Sequence, residues 1–272
     1  MDVHSPVMIY TLFTMGDRMQ RKVSGSDLNP GRLVAMLLLL SLLFSCSSPA
    51  RKEQGTDIGS PSRTVVKKRA DGSVSSINQV DEQNKVHGLR VTYYADGTTV
   101  YSKTTFEHGI KNGPFVRFYR NGQVFEQTSF RDGERDGVTR KYYMNGGLMA
   151  EFSSENGLDL PGLKEYARDG SLITDYPVIR FQVTDHLEDR NRIDLEMYSE
   201  PSGYPVKYYR TEPGTEHQTR VYLISGQGKA SLQFYLGPGK TLQEEVLITA
   251  EIPTELGNTL VLYLTYPLSA QH

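Results

Sequence analysis

The chain has 272 residues, of which 38% are hydrophobic and 23% are charged, and its formal net charge is −2. These proportions exclude a multispan membrane protein and a fully disordered chain, and the length suits one or two domains. The near-neutral charge argues against nucleic acid as a partner, because phosphate binding depends on clustered Lys and Arg. The 17 Tyr and 25 Gly, without any Trp, favour an all-β chain rich in turns.

The first element in the chain is an apolar run at residues 33–44, LVAMLLLLSLLF. A helix needs about 20 apolar residues to cross a bilayer, so this run is too short to span one. Basic residues precede it, namely Arg21, Lys22 and Arg32, and small residues follow it. This layout is typical of a secretory signal, and we therefore expect residues 1–45 to be a signal segment rather than part of the fold.

The only cysteine, Cys46, ends the segment LFSC. This segment resembles the bacterial lipobox, with Leu43 at position −3, the small Ser45 at −1 and then the cysteine that receives lipid. The resemblance implies a lipoprotein anchored through Cys46, where the mature chain would begin. Ser47 is not the Asp that retains lipoproteins at the inner membrane, which favours the outer membrane, facing the periplasm or the cell surface. Residues 46–64 are small and polar and are predicted to form a flexible tether.

Glycines recur with a fixed period over the next hundred residues. One set closes Asp-Gly or Asn-Gly pairs every 24 or 25 residues: Gly72, Gly97, Gly122, Gly146 and Gly170. Two further sets keep the same period: Gly88, Gly113, Gly137 and Gly162, and then Gly109, Gly133 and Gly157. Three registers at one period in the twenties indicate a stacked array of repeats.

Aromatic residues share this period and suggest the unit. Four residues before successive turn glycines stand Tyr93, Phe118, Tyr142 and Tyr166, which we expect to be buried. Each unit is predicted to be a strand, a type I′ turn at the Asp-Gly or Asn-Gly pair, and a second strand. A lone hairpin is marginally stable in water, so the units must pack on one another. We predict stacked β-hairpin repeats over residues 65–176.

The pattern x-G-x-x-x-G, followed by an aromatic pair and D/N-G, resembles the MORN-repeat variant family over about residues 70–176. It is most similar to the bacterial branch labelled as antitoxin-like repeat proteins. The resemblance implies the same architecture that the glycine period predicts, a MORN-like stack of hairpins.

The residue after the buried aromatic is also a tyrosine in three units: Tyr94, Tyr119 and Tyr143. The last unit has Ala167 at this position. Neighbouring residues on a strand point to opposite faces, so these tyrosines are predicted to lie on the outer face of the sheet. Two interpretations remain open. They cover the sheet surface, or they form an aromatic stripe that binds a ligand.

After Tyr176 the glycine period ends and alternation of apolar and polar residues begins. Seven strands are predicted, at 177–185, 192–200, 205–212, 217–226, 229–237, 244–253 and 259–268. Short strands at this spacing suit an antiparallel sandwich, which we expect over residues 177–268. The predicted fold is therefore all-β, with stacked β-hairpin repeats followed by an antiparallel β-sandwich domain.

The sequence has no strong motif for catalysis, phosphate binding or metal binding. LGPGKT at 236–241 lacks the first glycine of a phosphate-binding loop and is interpreted as a turn. His87 and His108 are interpreted as turn residues, and the acidic segment 185–189, with Asp194, as a solvated loop rather than a cation site. No catalytic residue, metal or cofactor is predicted.

These observations favour a non-catalytic, lipid-anchored protein of the cell envelope whose repeats form a scaffold for an unidentified envelope protein. The alternative is a glycan-binding surface protein that uses the tyrosine stripe. Repeat arrays present long regular surfaces, which is the physical reason for preferring protein binding.

Overall fold

The structure, a computed structural model, describes residues 63–212 and 220–272. Within these ranges the chain is almost entirely antiparallel β-structure, with one short helix, α1, at Leu187–Arg190. This confirms the all-β class. The predicted signal segment 1–45 and Cys46 lie outside the described residues, as does the predicted tether up to residue 62. No helix in the described ranges is both long and apolar enough to cross a bilayer.

Twelve strands form one antiparallel sheet, in which neighbours along the chain are neighbours in space. Two short strands depart from this order, because β7 pairs only with β6 and β10 only with β9. The strands are β1 Arg63–Lys68, β2 Val74–Val80, β3 Val86–Tyr93, β4 Val100–Glu107, β5 Ile110–Phe118, β6 Val124–Arg131, β7 Glu134–Arg135, β8 Gly137–Tyr142, β9 Leu148–Glu155, β10 Leu158–Asp159, β11 Lys164–Tyr166 and β12 Leu172–Ile173. The predicted stack of hairpins is therefore present.

The five turns that were predicted to be of type I′, at Gly72, Gly97, Gly122, Gly146 and Gly170, are not of that type, which corrects the prediction. In the turn at Gly122, the glycine N–H donates to the Tyr119 carbonyl at 3.0 Å, and only Gly122 has a positive φ, of 84°. The Asn121 side chain instead accepts the Gln123 N–H at 3.1 Å. This is a type I turn closed by a left-handed glycine, and the strand pairing beside it has a bulge, with the register shift between Arg117 and Phe118.

Type I′ turns occur at the opposite edge of the sheet. The pairs His108-Gly109, Asp132-Gly133 and Asn156-Gly157 have positive φ at both residues. Each pair joins two strands directly, as the pairing of Glu107 with Ile110 across the first of them demonstrates. We call this edge the tight-turn edge, and the edge that carries the five Asp-Gly and Asn-Gly turns the bulged-turn edge. Two sets of glycines thus serve two different turn geometries.

The buried face of the repeat sheet carries polar as well as aromatic side chains, since Phe106 and Phe152 share it with Thr104 and Thr139. Its buried side chains include Ser76, Asn78, Ser102, Thr104, Thr128, Thr139 and Ser154. They are paired with each other or covered by long side chains: the Thr128 and Thr139 hydroxyls lie 2.7 Å apart, and Arg90 Nε donates to Asn78 Oδ1 at 2.6 Å. The aromatics Tyr93, Phe118, Tyr142 and Tyr166, which were expected to be buried, are only half-buried. In β5, Phe118 lies three residues beyond Phe115, which pairs with Thr128, so strand alternation places Phe118 on the opposite face; the residue left unpaired by the bulge is Phe125 of β6.

All seven predicted C-terminal strands are present and form two sheets. The sheet β13–β14–β17 comprises Val178–His186, Arg192–Glu200 and Lys229–Tyr235. The sheet β16–β15–β18–β19 comprises Arg220–Leu223, Lys207–Thr211, Thr241–Pro253 and Thr259–Gln271. The main hydrophobic core lies between them, with Leu195, Met197 and Tyr208 completely buried. This arrangement confirms the predicted sandwich.

The core of the sandwich extends into the end of the repeat sheet, where Ala150, Phe152 and Leu163 join it. The turn between β18 and β19 also reaches this end. Its Thr254 and Asn258 both donate to Glu165, a β11 carboxylate that is only 1% exposed. The last repeat units and the sandwich therefore share buried contacts.

Candidate functional site

The three tyrosines of the predicted stripe connect neighbouring repeat units. The Tyr94 hydroxyl donates to the Phe118 carbonyl at 2.7 Å, one unit further along the chain. Tyr119 donates in the same way to the Tyr142 carbonyl at 2.8 Å. Tyr143 donates to the Tyr166 carbonyl at 2.7 Å. We call this set of three bonds, along the bulged-turn edge, the tyrosine column.

The two ends of the tyrosine column differ from its middle. In the first unit the corresponding position is Arg69, whose guanidinium donates to the Tyr93 carbonyl at 2.7 Å. In the last unit it is Ala167, which has no side-chain donor. The column therefore begins with a charged donor, continues through three tyrosines and ends where the units end.

The tyrosine rings are also packed against neighbouring side chains. The Arg120 guanidinium lies 4.7 Å from the centre of the Tyr94 ring, and Arg168 lies 5.3 Å from that of Tyr143. Tyr119 contacts Phe125 edge-to-face at 5.1 Å. Burial raises the pKa of the Tyr119 hydroxyl above its ordinary value. Cation–π and aromatic contacts of this kind stabilise a fold.

Two features limit what the tyrosine column offers to a ligand. Each hydroxyl is already committed to a main-chain carbonyl, and Tyr143 is only 9% exposed. Sugar binding would need accessible ring faces and free hydroxyls. The arrangement therefore gives these tyrosines a role in holding units together, which alternation along a strand did not predict.

The tight-turn edge also connects neighbouring units, through the main chain. The Gly109 N–H donates to the Val86 carbonyl at 2.7 Å, and Gly133 and Gly157 make equivalent bonds to earlier strands. The residue before each glycine is in the left-handed region: His108, Asp132 and Asn156. Asn84 has the same conformation in the first, longer loop. His108 is therefore a turn residue, as predicted, although Asn and Asp are the commoner choices there. His87, predicted to be a turn residue as well, is instead a buried residue of β3.

Three side chains with metal-ligand chemistry meet at this edge, which the sequence did not predict. Asp81 Oδ2 lies 2.8 Å from His108 Nδ1. The His87 ring lies beneath, with its centre 4.5 Å from that of His108, and its Nδ1 accepts the His108 main-chain N–H at 3.3 Å. The hydrogen bond from His108 holds the pKa of the Asp81 carboxyl below its usual value. Asp81 and His108 are 27 residues apart in sequence, so local spacing gave no signal.

Acidic side chains of the segment 185–189, and Asp194, form ion pairs and hydrogen bonds within the sandwich. Asp194 lies 2.8 Å from Arg192 and 3.7 Å from His186, and Asp189 lies 3.1 Å from Arg190. Asp185 accepts the Leu187 N–H at the start of α1. These contacts give the acidic residues structural partners.

The face of the repeat sheet opposite the buried one carries a regular cross-strand row. Register pairing places in it Val66, Ile77, Val91, Lys103, Val116, Gln127, Arg140, Glu151 and Lys164. We call this the outer row. Its first half is mostly apolar and its second half is polar, with Arg140 and Glu151 paired at 2.7 Å. Val66 in the row and Leu89 beside it are among the exposed large hydrophobic side chains.

Comparison of the chain with models of known protein families finds no match. A search of curated proteins also finds no relative of this chain. The resemblance to MORN-repeat variants therefore stays a prediction that depends on the glycine and aromatic pattern.

Proposed function

We propose that this chain is a lipid-anchored, non-catalytic interaction module of the bacterial cell envelope, and that the outer row is its protein-binding surface. The lipobox-like segment at Cys46 supports attachment to the outer membrane. The bond network of the repeat units supports a rigid platform, because every unit is connected to the next at both edges.

The outer row is the observation that carries this proposal. It combines exposed apolar side chains with a flanking set of charges, the composition of a surface that binds another protein. The opposite face is occupied by buried polar side chains and by the sandwich. A partner would therefore meet the outer row first, with its apolar part against Val66, Leu89 and Val91.

Site-specific photo-crosslinking in cells tests the proposal. A photoreactive amino acid at Lys103, an exposed position in the middle of the outer row, should capture a reproducible envelope protein identified by mass spectrometry. The same amino acid at Lys240, in an exposed loop of the sandwich, should not capture that protein. Absence of any captured protein at Lys103 would contradict the proposal.

A pair of surface variants sharpens the test. Leu89→Asp places a charge beside the outer row and should abolish the crosslink from Lys103. Val221→Asp changes another exposed apolar residue, on the sandwich, and should leave the crosslink unchanged. Equal loss of the crosslink in both variants would point to a general effect on the protein rather than to a binding surface.

A further inference from the structure

Asp81, His87 and His108 form a compact cluster where the first repeat unit meets the second. One ligand atom from each residue lies within 4.8 Å of those of the other two. The three come from two parts of the tight-turn edge: Asp81 begins the loop between β2 and β3, His87 is the second residue of β3, and His108 begins the turn between β4 and β5. Folding of the sheet thus brings together donors that are distant in sequence.

The Asp81 carboxylate is held in place by the main chain. Its Oδ1 accepts N–H groups from Gln83 and Lys85, both at 2.9 Å. This leaves Oδ2 directed at His108. A carboxylate oriented in this way resembles a metal ligand whose second oxygen is fixed by neighbouring donors.

The two histidines provide one buried and one accessible donor. His87 is 4% exposed, whereas the His108 side chain is 59% exposed. The hydrogen bond between the His108 N–H and His87 Nδ1, at 3.3 Å, is long and therefore weak. His108 can rotate at the surface to share a cation with the buried His87 ring.

We propose that this cluster binds a divalent transition-metal ion of the zinc type. Two imidazole nitrogens and one carboxylate oxygen suit Zn²⁺, which takes such ligands at about 2.0–2.2 Å in a tetrahedral arrangement. Ligand atoms around such an ion lie about 3.3 Å apart. The cluster has separations from 2.8 Å to at most 4.8 Å, so small side-chain rotations achieve this geometry. The fourth position stays open to water.

The other repeat units lack this donor set. The register of His108 is filled by Asp132 and Asn156, and that of His87 by Asn112 and Asp136. Since Asn and Asp satisfy the same left-handed turn, the fold alone does not require histidine at position 108. Bound metal would connect the first loop to the second unit and strengthen the N-terminal end of the sheet.

Zinc titration of the full chain, purified in detergent without a histidine tag, tests the proposal. Isothermal titration calorimetry should give one site per chain, and Zn²⁺ should raise the thermal midpoint. Co²⁺ in the same site should give the visible absorption of a tetrahedral complex. His108→Asn should weaken Zn²⁺ binding at least tenfold, while the far-ultraviolet circular dichroism stays unchanged because Asn156 shows that this turn accepts Asn.

A matched variant separates the site from scattered surface binding. His186→Asn alters another histidine near a carboxylate, in the sandwich, and should leave the affinity unchanged. Asp81→Asn should reproduce the loss seen with His108→Asn. Zinc binding by His108→Asn with the affinity of the original chain would overturn the proposal, and so would a failure of the original chain to bind Zn²⁺.

Discussion

Asn258 donates from its Nδ2 to Glu165 Oε1 at 2.5 Å, across 93 residues of sequence. The same amide accepts from Lys141 Nζ through its Oδ1, also at 2.5 Å. A single side chain of the sandwich thus joins a base and an acid of the repeat sheet. Burial lowers the pKa of Lys141, which agrees with its position in this contact. The contact fixes the position of the sandwich against the last repeat units.

Replacing Asn258 with Ala should destabilise the protein. Glu165 would keep Thr254 and Tyr176 as donors but lose its closest one, and a hydrogen bond to a charged group contributes about 1.5–3 kcal/mol. Urea unfolding of the full chain measures the difference. Gln182→Ala, at an exposed position of β13, is the control and should change the free energy of unfolding by less than about 0.5 kcal/mol.

Removing a hydroxyl from the tyrosine column should weaken the stack. Tyr119→Phe deletes the bond to the Tyr142 carbonyl and should lower the free energy of unfolding by about 0.5–1.5 kcal/mol. Tyr235→Phe, on an exposed tyrosine of the sandwich, should have almost no effect. Equal stability of the two variants in urea would show that the column contributes nothing to the stack.

Two turn glycines with similar backbone angles should respond differently to Ala. Gly97 and Gly122 have φ of 71° and 84°, so each substitution costs about 1–2 kcal/mol of backbone strain. A methyl group on Gly122 would meet nothing within 4 Å, whereas one on Gly97 would lie 2.9 Å from the Val74 main-chain nitrogen. We expect Gly97→Ala to lose about 1–3 kcal/mol more than Gly122→Ala in thermal unfolding. The reverse order would contradict the packing described for the first two units.

Stability should fall in alkaline solution, in part through Tyr208. Burial raises the pKa of this hydroxyl from 10.0 to about 12, and the hydroxyl donates to the Gly228 carbonyl at 2.9 Å. The unfolded chain ionises first, so the contribution of Tyr208 is complete below about pH 10 and is lost as pH rises through about 12. Urea unfolding across this range should show a shallower decline in Tyr208→Phe than in the original chain. Parallel curves for the two proteins would exclude Tyr208 as a source.

The proposed lipid anchor is testable without any structural knowledge of the N-terminal segment. Cys46→Ala should abolish incorporation of labelled palmitate in cells and release the protein from the membrane fraction. Ser47→Ala should retain the label, since the residue after the cysteine is not acylated. Continued labelling of Cys46→Ala would exclude the lipoprotein interpretation.

The sequence predicted those parts of the fold that depend on local pattern. Alternation located all seven strands of the sandwich, and the glycine period located the hairpins, because both patterns arise within one or two neighbouring strands. Turn type was wrong at Asn121-Gly122, since an Asn side chain can bond its own main chain instead of adopting a positive φ.

The contacts that the sequence did not predict are those that need a known sheet register. The hydroxyl of Tyr94 and the carbonyl of Phe118 lie within hydrogen-bond distance because of the strand register beside both turns, and each register includes a bulge. Asp81 and His108 meet only because one loop is longer than the other tight turns. The 24 residues from Tyr94 to Phe118 match the repeat period, but the period does not indicate which atoms meet.

Ala167 has a consequence for the number of repeat units in the stack. A tyrosine at that position would add a hydroxyl donor at the last turn of the stack. Alanine provides no such donor, and the sandwich packs on the last strands of the repeat sheet instead. A chain lengthened by duplicating one 24-residue unit inside the stack would keep Arg69 at its first turn and Ala167 at its last. The stack would therefore become longer without a change at either end.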